Sequence, residues 1–143
     1  MPLTEKAFTL VELMLVLVVM GVIAGLALPE YNRSVERTQR KDAENQLMFI
    51  YSAQKMYAAR NNDLYWGPAV GATSELKLAN INQNLGLNIL ANGKIFDCTV
   101  VNLGETYTCT ATRVGGTGFT ISITQDAINP GVNPSCSPVA SCP

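Results

Sequence analysis

The fold of this chain is decided near its beginning, by the stretch Lys6-Ala7-Phe8-Thr9-Leu10-Val11-Glu12-Leu13. It opens an apolar run that continues to Leu28, and Glu12 is the one charged residue between Phe8 and Leu28. As an α-helix this run would rise roughly 30 Å, which matches the hydrocarbon thickness of a bilayer. We therefore expect residues 8–28 to form a membrane-spanning helix.

Glu12 needs an explanation, because a carboxylate inside a spanning segment is costly and usually functional. The simpler interpretation is that its side chain reaches back to the membrane interface, since it lies only four residues after Phe8. The residues alone leave both interpretations open.

The flanks of the run indicate its orientation and argue against a cleaved secretory signal. Lys6 is balanced by Glu5, so the positive-inside signal is weak. The orientation that we expect has the N-terminus in the cytoplasm. The small residues of Gly25-Leu26-Ala27 have the spacing that a signal peptidase reads. Glu12 interrupts the apolar core of such a signal, however, and Pro29 would follow the cut.

The N-terminal motif resembles that of type IV pilins and type II secretion pseudopilins. The resemblance covers about the first quarter of the chain and rests on a short polar leader, Ala7-Phe8-Thr9-Leu10-Val11-Glu12-Leu13-Met14, Gly21 and Pro29-Glu30-Tyr31. It implies that an inner-membrane prepilin peptidase removes the leader, residues 1–7, between Ala7 and Phe8, and that the new amino group of Phe8 is N-methylated. The family usually has Gly before the cut, and the small Ala7 should still fit.

The resemblance also implies a partner for Glu12. In filaments of this family the corresponding Glu meets the N-terminal amine of a neighbouring subunit, so the two charges offset each other's desolvation. Because apolar helices slide past one another at little cost, such a pair would also fix the axial register.

Small residues and a proline mark the end of the apolar run. Gly21 and Gly25 form a small-xxx-small pair, which permits close approach of another membrane helix. Pro29 has no amide hydrogen and crowds the carbonyl of Gly25, so we expect a kink or a melted stretch between Gly21 and Pro29.

Residues 29–61 are predicted to continue the same helix in amphipathic form. Apolar residues recur there at helical spacing, at Ala43, Leu47, Ile50, Tyr51, Tyr57 and Ala58. Turn-forming residues at 61–63 end the helix.

The remaining segment, residues 62–143, is long enough for one small globular domain with an antiparallel sheet of three to four strands. Alternation begins at Lys94, and pairing Val101 with Thr106 across the following loop places Cys98 opposite Cys109 on the buried face. We therefore predict a cross-strand Cys98–Cys109 disulfide. A three-residue loop at 115–117 then sets Ala111 against Ile121 and turns three residues to the core: Phe119, Ile121 and Ile123.

The four cysteines and the absence of His indicate an oxidising, extracytoplasmic compartment. Cys136 and Cys142 can close a small loop on themselves, although three pairings of four cysteines are possible in principle. In related pilins a disulfide often ties the C-terminal loop to the sheet. Residues 129–138 are too rich in Pro for a central strand and are predicted to be a surface tail.

The connection between helix and sheet carries few signals. Trp66 is either an exposed contact for a partner or, as we favour, partly buried against the sheet. Four apolar residues are expected to cap the core: Leu85, Leu87, Ile89 and Leu90.

Catalysis has no support, because the chain has no His, no nucleophile motif and no phosphate-binding glycine loop after a strand. The sequence predicts no cofactor and no metal, since the acids Asp97, Glu105 and Asp126 are too scattered for a calcium site. A pI near 5.3 does not predict nucleic acid directly as a partner.

The expected fold class is α+β: a long N-terminal helix packed on a small antiparallel sheet. The expected function is that of a pilin, cleaved, methylated and polymerised through its helices into a type IV pilus filament for adhesion, motility or DNA uptake. Its expected partners are copies of itself, the prepilin peptidase, the inner-membrane assembly machinery and, before assembly, the bacterial inner membrane with the C-terminal domain in the periplasm. The alternatives are a type II secretion pseudopilin and a monomeric, membrane-anchored periplasmic binding module.

Overall fold

The computed structural model describes residues 9–68, 73–115, 118–129 and 132–138, without the side chains of residues 26–30. In chain order its elements are α1 (Leu10–Ala58), α2 (Ser74–Leu85), β1 (Lys94–Val101), a 3-10 turn (Asn102–Gly104), β2 (Thr106–Arg113), β3 (Thr120–Thr124) and β4 (Ser135–Ser137). The predicted α+β class is confirmed. The chain divides into two compact units, Met1–Thr38 and Gln39–Pro143, and we call the second unit the head.

Helix α1 is 49 residues long and is α-helical without interruption. Its extent agrees with the predicted helix over residues 8–61, and left-handed backbone at Asn62 and Asp63 follows its end. Of the predicted kink or melted stretch between Gly21 and Pro29, the melted stretch is wrong, because the loss of one backbone donor at Pro29 does not break a helix with many turns on either side; the kink stays a prediction. Within the described part of the chain, no helix is both long enough and apolar enough to cross a membrane.

The head contains a four-stranded antiparallel sheet in the order β1-β2-β3-β4. The predicted register is confirmed: Val101 pairs with Thr106, Cys98 pairs with Cys109, and Phe96 pairs with Ala111. On the next ladder Ala111 pairs with Ile121, as the three-residue loop required. Gly116 and Thr117 of that loop lie outside the described residues.

The core of the head lies between one face of this sheet and the helical residues of 39–58. The predicted apolar positions Ala43, Leu47 and Ile50 are fully buried, and Ala58 is nearly so. The sheet contributes the buried side chains Phe96, Cys98, Tyr107, Cys109, Ala111, Phe119, Ile121 and Ile123.

Helix α2 was not predicted from the sequence. Thr73 caps its N-terminus by accepting a hydrogen bond from the Leu76 amide at 3.5 Å, and Gly86 ends it with φ 65°. Ile81 is buried, and Leu78 and Leu85 pack beside it against the core. A Thr before the helix, apolar residues at 78, 81 and 85, and a closing Gly are the signals that could have identified it.

Three of the four residues predicted to cap the core do so. Ile89 is buried, and Leu85 and Leu87 pack partly buried against the core. The expectation for Leu90 is wrong, because its side chain is 58% exposed. Ile89 is instead held by Asn82, whose side chain pairs with both the amide and the carbonyl of Ile89 at 2.8 and 2.9 Å.

The C-terminal segment is more than a surface tail, since its residues Ser135–Ser137 form β4. Cys136 pairs with Ile121 at the edge of the sheet, so the exclusion of a central strand was correct. The buried Asn133 ties the segment before β4 to the end of β3. Its side chain accepts a hydrogen bond from the Thr124 amide at 3.0 Å and donates one to the Asp126 carbonyl at 2.8 Å. Prolines on both sides limit β4 to three residues.

Tyr107 gives the head a testable pH dependence. Its side chain is 1% exposed, and its hydroxyl has no hydrogen-bond partner within the described residues. Burial raises the pKa of this hydroxyl well above its ordinary value, and nearby Tyr51, Tyr65 and Asp126 raise it further. The unfolded chain therefore ionises Tyr107 near pH 10 while the folded head keeps it neutral, so this contribution to stability is complete below about pH 10 and is lost above it.

We therefore expect Tyr107→Phe to be neutral or slightly stabilising at pH 7, because it removes an unpaired buried hydroxyl. Above pH 10 the variant should lose less of its free energy of unfolding than the wild type, as measured by urea titration at pH 7 and pH 10.5. Tyr57→Phe is the control at a less buried position. An identical pH dependence in Tyr107→Phe and wild type would contradict this assignment.

Candidate functional site

Glu12 lies in the first turn of α1 and is solvent-exposed in the single chain. Thr9 precedes the helix and contacts its first turn through both its hydroxyl and its carbonyl. The Thr9 Oγ1 accepts a hydrogen bond from the Glu12 amide at 3.3 Å, and it also lies 3.4 Å from the Glu12 carboxylate oxygen Oε2, to which it donates. The Thr9 carbonyl accepts from the amides of Glu12 and Leu13. Thr9 is therefore the N-cap of α1, a role that sequence reasoning missed although Thr-x-x-Glu is a capping-box pattern.

An uncovered apolar surface surrounds Glu12. The side chains involved are between 43% exposed at Val16 and 76% exposed at Leu10, and they are Leu10, Val11, Leu13, Met14, Leu15, Val16, Leu17, Val18, Val19, Met20, Val22 and Ile23. A contiguous apolar surface of this kind is rare on a monomeric soluble protein and marks contact with a membrane or with other protein chains.

The other residues predicted to act in cleavage, methylation or assembly are Gly21, Gly25, Pro29, Ala7 and Phe8. Gly21 and Gly25 are both helical, and a Cβ built on either meets no atom of the described residues within 4 Å. Pro29 lies within α1. The cleavage and methylation residues Ala7 and Phe8 lie outside the described residues.

The cysteines lie at the opposite end of the chain sequence, in the head. The predicted Cys98–Cys109 disulfide is present, with the two Cα atoms 4.0 Å apart on neighbouring strands. Cys136 is also disulfide-bonded, and Cys142, its predicted partner, lies outside the described residues.

Two partly buried polar contacts attach the helical part of the head to its sheet and loop, and the sequence did not indicate either. The ammonium of the buried Lys94 lies 2.6 Å from a carboxylate oxygen of Asp42. Gln54, also buried, donates to the Trp66 carbonyl at 2.6 Å and accepts from the Trp66 amide at 2.9 Å. Trp66 is thereby held half-buried against the core, as predicted.

Comparison with known families identifies the chain. Residues 29–124, more than half of the chain, match the family described as "Type IV minor pilin ComP, DNA uptake sequence receptor". The chain belongs to this family. Residues 3–28 of the pilin match a second family description, "Prokaryotic N-terminal methylation motif".

Curated relatives of the pilin include both pilins and a secretion protein. It is 35% identical over 37% of its length to the type IV major pilin protein PilA of Myxococcus xanthus, and 36% identical over 41% to the type II secretion system core protein G of Pectobacterium carotovorum. It is 49% identical over 24% of its length to the type IV major fimbrial protein FimA of Dichelobacter nodosus. These matches cover 24%, 37% and 22% of the relatives' own lengths. No solved structure matches the pilin.

The surface of the pilin head is mixed in charge. Lys77 is paired with Asp97 at 2.6 Å, and the Lys55 ammonium donates to the Gln125 carbonyl at 2.8 Å. Among the described residues, no cluster of three or more His, Cys, Asp or Glu side chains could hold a metal ion.

Among the described residues of the head, the most exposed large apolar side chain lies in the turn between β1 and β2. Leu103 is 99% exposed, and its backbone is left-handed with φ 58° and ψ 24°. Gly104 next to it is held by its carbonyl, which accepts from the Tyr65 amide at 2.7 Å. The turn is thus held in place, with the side chain of Leu103 exposed to solvent.

Proposed function

We propose that this chain is a minor subunit of a type IV pilus that serves DNA uptake. In this proposal the precursor is held in the inner membrane by residues 8–28 and cut between Ala7 and Phe8. Phe8 is then N-methylated, and the subunit joins the filament through its apolar helix. The head takes no part in catalysis and is carried to the filament surface.

The observation that carries the proposal is the apolar surface of residues 10–23, which lies inside the matched methylation motif and contains Glu12. These side chains are solvent-exposed, and a second hydrophobic phase would cover them. Lipid can cover them before assembly, and like helices of other subunits can cover them afterwards. A pilin that moves from membrane to filament uses both phases in turn.

Glu12 supplies the selectivity that apolar contact lacks. Packing of aliphatic side chains is nearly independent of axial position, whereas a buried carboxylate is satisfied only where a cation meets it. Leader removal creates such a cation at the amine of Phe8. Cleavage and polymerisation are thereby linked through a single residue.

DNA enters the proposal through the family description, since the sequence predicted no nucleic acid directly. The net charge of the whole chain is −1, and Lys77 and Lys94 of the head are paired with Asp97 and Asp42, so neither the net charge nor these two lysines favour phosphate binding. Binding driven mainly by phosphate contacts would weaken steeply with salt. The salt dependence of DNA binding would therefore show how much of any contact with DNA rests on charge.

A type II secretion pseudopilin remains the second candidate, because one of the relatives named above is a secretion core protein. That match covers 41% of the chain, whereas the ComP-type pilin family matches residues 29–124 and so includes most of the head. The family match therefore favours the pilus.

One complementation experiment tests the proposal. In the native bacterium lacking its own copy of this chain, expression of the wild-type chain should restore uptake of labelled DNA, and intact mass of the recovered subunit should show a chain that begins at Phe8 with one added methyl group. A subunit that begins at Met1 or Leu28 would contradict processing at Ala7. Restored protein secretion without any effect on DNA uptake would replace the pilus with the secretion system.

A further inference from the structure

The turn that precedes β1 places an asparagine and a glycine side by side in left-handed backbone. Asn92 has φ 44° and Gly93 has φ 73°, and across them the Lys94 amide donates a hydrogen bond to the Ala91 carbonyl at 2.8 Å. Two positive φ values closed by such a bond are typical of a type I′ turn, for which Asn-Gly is a preferred pair. Both residues are exposed to solvent.

Two groups in this turn are unpaired within the described part of the chain: the Asn92 carboxamide and the Gly93 amide. Gly93 is held on its other side, because its carbonyl accepts a hydrogen bond from the Val114 amide at 2.9 Å. By contrast, the side chain of Asn82 is bonded to both the amide and the carbonyl of Ile89. The Asn92 side chain can therefore turn toward the Gly93 nitrogen without giving up a hydrogen bond to the protein.

We propose that Asn92 is a site of self-modification, at which the backbone nitrogen of Gly93 attacks the side-chain carbonyl carbon of Asn92. A bond forms between that nitrogen and the Asn92 Cγ, the bond from Cγ to Nδ2 breaks, and Nδ2 leaves as ammonia with the proton that the Gly93 amide gives up. The product is a succinimide ring. Water then opens the ring at either carbonyl, which leaves aspartate at position 92 or its isomer isoaspartate, linked to Gly93 through the side chain. This inference concerns the folded head alone and does not depend on the proposed function.

Glycine is the residue that makes this attack possible within a folded turn. A Cβ built on Gly93 meets no described atom within 4 Å, so the space on that side of the turn is open. Ring closure requires rotation about the bond between Cα and the carbonyl carbon of Asn92, so the hydrogen bond from Lys94 to Ala91 must open. Exposed turns open locally at a small cost in free energy, and glycine accepts the new backbone angles without strain. The folded head therefore permits the reaction.

The modification would change the head beside its buried lysine. Either product adds a carboxylate, and one more negative charge takes the formal net charge of the chain from −1 to −2. Isoaspartate also adds one methylene group to the main chain just before Lys94, which is 4% exposed and has its ammonium 2.6 Å from Asp42. A buried side chain tolerates such a shift of its backbone poorly. We therefore expect isoaspartate to destabilise the head more than aspartate does.

The tryptic peptide of residues 78–94 provides the test, because it contains Asn92 and four other asparagines as internal controls: Asn80, Asn82, Asn84 and Asn88. The purified full-length subunit is held folded in detergent, and in parallel unfolded in urea, in mildly alkaline buffer made with water enriched in heavy oxygen. Alkaline buffer favours loss of the Gly93 amide proton. After digestion, mass spectrometry with fragmentation measures the converted fraction at each asparagine, the heavy oxygen taken up and the ratio of isoaspartate to aspartate.

Two controls accompany the measurement. Asn92→Gln is the matched variant, since it keeps the carboxamide but would need a larger ring to react. Trp66 fluorescence reports in each sample whether the head is folded, because Trp66 is the only tryptophan of the chain and packs partly buried against the core.

In the folded subunit we expect Asn92 to convert at least about ten-fold faster than the other four asparagines, whose following residues all carry side chains. The product should contain one heavy oxygen atom and both isomers, and Asn92→Gln should show no detectable conversion at this position. Conversion in urea without any in the folded subunit would show that the turn protects Asn92 and would overturn the inference. Aspartate without isoaspartate would overturn it as well, because direct hydrolysis of the side chain yields aspartate alone.

Discussion

Replacing Glu12 with alanine is expected to abolish filament assembly while leaving leader removal intact. In the proposed filament the substitution would leave the neighbour's amine buried among apolar helices with no opposite charge. Breaking a buried ion pair by removing one partner costs about 3–5 kcal/mol, which corresponds to a loss of affinity of roughly 100-fold or more at each contact between subunits. A filament contains many such contacts, so the polymer should fall below detection. The measurement is the subunit fraction in sheared filaments, together with the intact mass of the subunit in the membrane.

The matched control is Glu75→Ala, which removes one exposed carboxylate from α2 in the head and leaves the apolar helix unchanged. It should assemble as the wild type does. Filaments of Glu12→Ala in normal yield would contradict the assembly role, and they would favour the interpretation of the helix as a simple tether for a monomeric periplasmic module. If the leader is not removed from Glu12→Ala, then Glu12 is required for cleavage by the peptidase rather than for filament assembly.

Much of the head sheet could be predicted because its side chains repeat with a period of two. On β1 and β2, apolar residues alternate with Thr and other polar residues, and a slip by one residue would move Cys98 and Cys109 to opposite faces. The register was therefore determined by local pattern and one loop length. The helix was similarly predictable, since its apolar residues first run unbroken and then recur at helical spacing.

The features that were missed depend on partners that are distant in sequence. Lys94 reads as a surface residue at the start of a strand, and it is buried only because Asp42, 52 residues earlier, meets its ammonium. Gln54 reads as part of a polar helix face and is buried because the Trp66 backbone offers it both a donor and an acceptor. No periodicity reports such pairs, because they are created by the packing of one element on another.

Two other misses were local and could have been avoided. The Thr73 cap, the apolar spacing of α2 and the closing Gly86 are all visible in the sequence. The same is true of the spacing of Thr9 and Glu12, which is that of a capping box although both residues adjoin the apolar run. In the candidate site, sequence therefore predicted the charged residue and overlooked the residue that holds it.

Removal of the Cys98–Cys109 bond is expected to destabilise the head strongly. The bond joins residues 11 apart in sequence, and closing a loop of that size stabilises the folded state by about 3 kcal/mol in the chain-entropy account. A small domain has a total stability of only about 5–15 kcal/mol, so this is a large part of the whole. Both sulfur atoms also lie in the core beside Ile123 and Tyr107, where their loss leaves unfilled space.

The test is the double substitution Cys98→Ala with Cys109→Ala in the full-length chain, followed by urea unfolding in detergent. Trp66 is the only tryptophan and is half-buried against the core, so its fluorescence reports unfolding of the head. The control is Thr99→Ala with Thr108→Ala, the adjacent cross-strand pair on the opposite face, which should cost no more than about 1 kcal/mol. A double cysteine variant that loses no more stability than this control would show that packing of the sheet on the helix, rather than the disulfide, holds the two strands together. The predicted loss, by contrast, would make the head dependent on an oxidising compartment, as its cysteine content led us to expect.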